Sequence, residues 1–102
     1  MNFTDFRRST SDTAPPADTP PPLAALWWAA KGEWEKAHTI VMNDAGAAAA
    51  WVHAYLHRVE GDLPNAGYWY RTAGKPVEKG PLDSEWSSDA GLGCVRLAGT
   101  ET

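Results

Sequence analysis

Cysteine is nearly missing: Cys94 stands alone among 102 residues. One thiol cannot close an internal disulfide and offers no thiolate partner for a metal site, so a reducing cytoplasm is the expected compartment. No apolar run approaches the roughly 20 residues that span a bilayer, so no membrane partner is expected. Basic excess is lacking as well. Nine Lys and Arg stand against 13 Asp and Glu, for a net charge of −4 and a pI near 5.2. Nucleic acid and anionic membranes are therefore not expected partners. Arg7 and Arg8 have no apolar segment behind them, so the start does not read as a secretory signal.

Signatures of catalysis are thin too. Gly91 and Gly93 flank Leu92 but follow no βα pattern, so they do not cradle a phosphate. Ser87 and Ser88 lack a glycine elbow, and Cys94 has no histidine near it in sequence. No catalytic residue and no cofactor is expected.

What is present is alanine and tryptophan. Hydrophobic content is 43%, much of it alanine, and six tryptophans supply the buried area that alanine cannot. At this length there is room for one domain with one modest core. The most organised stretch is Ala47–Gly74. From Asp44 as N-cap to Gly61 as C′ runs an alanine-rich helix without proline. Trp51, Tyr55, Val59, Val52 and Leu56 share one arc of about 140°, with His53, His57 and Glu60 opposite. Asp62 caps the next helix, Pro64 sits in its first turn, and Gly74 ends it ahead of Pro76. Leu23–Lys31 and Glu33 to about Met42 form an earlier pair that turns at Gly32, with Glu33 and Glu35 at the positive helix end. Tight turns make neighbouring helices antiparallel.

The flanks read differently. Residues 1–22 are rich in Ser, Thr, Asp and Pro, and are expected to be a disordered tail that ends in a stiff Pro20–Pro22 stop. Residues 23–74 are the two-hairpin domain. Residues 75–102 form a C-terminal extension with one short helix, Leu82–Ser88, before a glycine-rich end with no clean period. The fold class is all-α: two antiparallel helical hairpins, or equally a four-helix bundle.

A shift of 29 residues superposes the hairpins: Ala25 on Ala54, Gly32 on Gly61, Glu33 on Asp62, Ala37 on Ala66. The glycine turns the chain, the acid caps, and the alanines allow close approach. GEWEKA at Gly32–Ala37 and GDLPNAGYWYRTA at Gly61–Ala73 resemble the tetratricopeptide repeat at its helix A to helix B junction. The period is shorter than that family's 34 or so residues, and two copies are fewer than the three or so that usually bury a core. The Trp51–Gly74 stretch also looks similar to short uncharacterised bacterial proteins, a kinship that carries no activity.

The resemblance implies a non-catalytic module that binds a protein or peptide, or self-associates as a homodimer. Its register puts Trp51, Tyr55 and Arg58 on an open concave face. The same register sets His53 and His57 between paired helices, where Tyr68 or backbone carbonyls would partner them. The apolar arc instead leaves both histidines in solvent. Either way, they lie four residues apart and reach one spot, a spacing that suits two metal ligands with Glu60 or His38 as a third. The residues between them are Ala54, Tyr55 and Leu56, so the HExxH pattern of hydrolytic zinc sites is absent. Metal or small-ligand binding is the alternative function. The tryptophans are expected in the core, except that adjacent Trp27 and Trp28 cannot both face inward.

Overall fold

Three helices end in the same way, and those endings set the layout. Gly32, Gly61 and Gly74 adopt left-handed φ of 78°, 84° and 72°, a region that costs glycine nothing. After each glycine the next amide reaches back five residues. Glu33 N–H donates to Trp28 O at 3.0 Å, Asp62 N–H to His57 O at 2.9 Å, and Lys75 N–H to Tyr70 O at 2.9 Å. These are Schellman closures, which satisfy the last carbonyls of each helix.

The computed structural model describes residues 2–100. Along them run α1 (Phe3–Ser9), α2 (Pro21–Ala30), α3 (Trp34–Val41), α4 (Ala47–Val59), α5 (Leu63–Ala73) and α6 (Leu82–Thr100), with no strand among the described residues. The all-α class and the two hairpins, α2–α3 and α4–α5, are as expected. Details of capping differ. The acid of the repeat caps only in its second copy, where the Asp62 side chain accepts from Asn65 N–H at 3.3 Å. Glu33 makes no side-chain cap. Asp44 does not cap α4 either; it accepts from Gly46 N–H at 2.8 Å, and the helix begins at Ala47.

Both flanks join the core, which corrects the expected division at residues 22 and 74. Asn2 caps α1 by accepting from Asp5 N–H at 2.8 Å, and Asp5, Arg7 and Arg8 match the helix dipole. Phe6 is fully buried and stacks on Trp86, with centroids 6.0 Å apart, while Phe3 tilts against the same ring at 6.2 Å. Composition averaged over the segment hides this pair of phenylalanines one helical turn apart, and their docking site comes from the opposite end of the chain.

At that opposite end, α6 spans 19 residues rather than the short Leu82–Ser88. Glu85, Trp86, Asp89, Ala90 and Cys94 form its buried face. Trp86 donates from Nε1 to Leu26 O at 2.8 Å, which satisfies an indole that would otherwise be buried unpaired. The glycines that argue against this helix have a packing reason at Gly93. A Cβ there would lie 2.7 Å from Leu23 Cδ2, so any side chain larger than glycine's would have to displace Leu23 for α6 to approach α2 so closely.

At the centre lies α4, which touches α2, α3, α5 and α6. The main core gathers Phe6, Leu26, Trp27, Val41, Leu56 and Trp86 with their alanine neighbours, and Ala54, Ala66 and Tyr70 form a smaller cluster between α4 and α5. Trp27 is fully buried and donates from Nε1 to Ser9 Oγ at 3.1 Å. Its neighbour Trp28 is half-buried under the Lys36 ammonium, 4.2 Å from the ring centroid. No described helix is long and apolar enough to cross a membrane.

Candidate metal centre

Helix periodicity brings His53 and His57 to one face of α4, and the α2–α3 hairpin brings His38 against them. His53 and His57 are only 4% and 6% exposed. They therefore lie between helices, and the solvent placement drawn from the apolar arc does not hold. His38 Nε2 and His53 Nε2 are 3.0 Å apart, so one ring donates to the other. One nitrogen from each of His38, His53 and His57 falls within 4.8 Å of the other two. Tetrahedral zinc with Zn–N bonds of about 2.0–2.1 Å holds its nitrogens about 3.4 Å apart, so closing the set takes side-chain adjustments of an ångström or so.

Surrounding groups fix the rings. Trp34 stacks on His38 with centroids 4.6 Å apart, and Trp69 stacks on His53 at 3.9 Å. Trp34 is itself anchored, donating from Nε1 to Leu56 O at 2.7 Å. His57 Nδ1 bonds Glu60 Oε1 at 2.5 Å. That carboxylate favours the Nδ1–H tautomer and leaves the lone pair on Nε2, the arrangement that orients many metal-binding histidines. Burial, reinforced by His38 and His57, lowers the His53 pKa to about 4. The ring is thus neutral at physiological pH, as a metal ligand must be. His53 Nδ1 is buried without a hydrogen-bond partner among the described residues. A second grouping, His57 with Glu60 and Asp62, overlaps the first through His57.

Tyr68, expected to partner the histidines, is 52% exposed and meets Trp69 edge-on at 5.0 Å. The partners are instead His38, Glu60 and two indole faces. Of these, Trp34 and Trp69 carry no sequence signal beyond their aromatic character, because the stacking depends on how α3 and α5 pack on α4.

Trp51, Tyr55 and Arg58 are not left as an open face; α6 lies against it. Tyr55 is 7% exposed, and its hydroxyl is pushed up to about 12 by burial and then by Glu85. Arg58 donates from Nη1 to Glu85 Oε1 and from Nη2 to Gly80 O, each at 2.5 Å. Tyr70 donates its hydroxyl to the other Glu85 oxygen. Burial, then Glu85, raises the Tyr70 pKa and keeps it protonated. Trp51 is half-buried, with the Lys75 ammonium 4.6 Å from its ring centroid. Against these geometries, no protein-family model, no curated protein and no solved structure matches the chain.

Proposed function

We propose that the protein binds a divalent transition-metal ion through His38, His53 and His57. The observation that carries this reading is the convergence of three imidazoles from two helices within ligand reach of one another. Imidazole donors suit zinc, copper and nickel, and three of them leave one tetrahedral position for water or a further ligand. Glu60 orients His57 from behind. The protein-binding reading through Trp51, Tyr55 and Arg58 has less support, because Tyr55 is buried and Arg58 is committed to Glu85.

Calorimetric titration of the metal-free protein with zinc and nickel tests the reading. One ion per chain is expected, with binding lost in the His53→Ala, His57→Ala double variant. The Glu60→Gln variant should bind about 10–100-fold more weakly, as removal of an outer-shell carboxylate typically does. Stoichiometric binding that survives the double variant, or no binding by the folded wild type, would refute the site.

A further inference from the structure

On the side of α4 away from the histidines, α2, α4 and α6 enclose a partly open cleft of about 240 Å³. Its walls are almost wholly apolar: Leu23 and Leu26 from α2, Trp51 and Val52 from α4, Leu92 from α6. One wall residue breaks the pattern. Asp89 is 4% exposed, and among the described residues neither carboxylate oxygen has a hydrogen-bond partner. The nearby cation does not serve it: Lys75 stands over the Trp51 ring instead. An ionised carboxylate in such a place is costly unless a cation or strong donor meets it.

From this cleft and its single unpaired acid, we infer a binding site for a small apolar molecule, one aromatic ring in size, that carries one protonated amine. The ring occupies the space between Leu26, Trp51 and Leu92. The ammonium draws the Asp89 carboxylate to the cleft wall and supplies its missing partner. Size supports a fragment rather than a larger ligand, since drug-sized pockets start near 300 Å³ and a cavity of about 150 Å³ already holds benzene. Trp51 adds a π-face that already accommodates the Lys75 cation. This site is independent of the three histidines.

Protonation gives the site a pH signature. Burial first, then Glu85 on the same helix and Glu78 on the preceding loop, raise the Asp89 pKa to about 8. Lys75 and Arg58 oppose them, and Tyr55 also faces the group from α4. The α2 residues along the cleft carry no charge. Ammonium binding requires the ionised acid, so affinity for an amine rises with pH through this range.

The test titrates the full-length protein, with EDTA present, using phenethylamine and its neutral analogue phenethyl alcohol. Amine affinity should rise about tenfold between about pH 7 and about pH 9, while the alcohol stays flat. In Asp89→Asn the rise should vanish and the amine should bind no better than the alcohol. Ala48→Leu, which fills the cleft from α4, should abolish both. Circular dichroism confirms that each variant folds, and the wild-type pH profile stands without either of them. A flat amine profile, an unchanged amine affinity in Asp89→Asn, or no binding of the amine at either pH would overturn the site.

Discussion

Arg58 of α4 and Glu85 of α6, 27 positions apart in sequence, form a 2.5 Å ion pair in which the arginine side chain is 11% exposed and the glutamate 2%. The second arginine arm holds Gly80 O, and Tyr70 satisfies the other carboxylate oxygen. Through one carboxylate, α4 and α5 are tied to the start of α6. A buried charge with its partners removed is far costlier than the pair itself is stabilising. Glu85→Ala should therefore destabilise the protein by about 3–5 kcal/mol, whereas Arg58→Met combined with Glu85→Leu should cost less than Glu85→Ala alone. Urea unfolding of the variants checks this. A double variant that is the least stable of the set would show that the pair contributes more than its own desolvation.

Two glycines of α6 should respond in opposite directions to alanine. Gly91 has open space where a Cβ would go, so Gly91→Ala should gain about 0.5–1 kcal/mol from helix propensity. Gly93→Ala places its methyl against Leu23, which is 3% exposed and has little room to move. Overpacking costs about 1–3 kcal/mol and should outweigh the propensity gain. Thermal melts that rise for both variants would mean that α6 does not seat on Leu23.

Asp89 sets a pH dependence whose sign is fixed by its raised pKa. The unfolded carboxyl titrates near 3.9, and the folded one is pushed up to about 8, by burial first. Between these values the folded state holds the extra proton, so stability falls as pH rises from about 4 to about 8 and levels off above. Asp89→Asn removes that loss. Its melting temperature relative to wild type should climb across this range and show little difference near pH 4. A difference independent of pH would place Asp89 in a solvated site.

Phe6 should behave as a core residue despite its place in a polar, proline-rich segment. Phe6→Ala is expected to lower stability by about 3–5 kcal/mol, comparable to removing any fully buried phenylalanine. Chemical denaturation measures it. A loss below about 0.5 kcal/mol, the range of surface changes, would return residues 1–22 to the status of a tail.

The sequence by itself determined what local chemistry can encode. Glycines at 32, 61 and 74 stop three helices because each left-handed position is cheapest without a side chain. The 3.6-residue period fixed the common face of His53 and His57, and one thiol excluded a disulfide. Tertiary structure decided the rest. Three glycines between Ala90 and Gly99 weigh against a helix, yet α6 packs on the core, where Gly93 admits Leu23 and Trp86 reaches Leu26 O, 60 positions away. The same helix turned Arg58 from a surface residue into a buried ion pair and made Trp86 available to Phe6. His38 meets His53 only because two hairpins, each locally specified, pack α3 against α4. Propensity and capping act within a turn or two. Burial of an indole, a carboxylate or an imidazole depends on which distant helix supplies the covering atoms, and no local pattern carries that information.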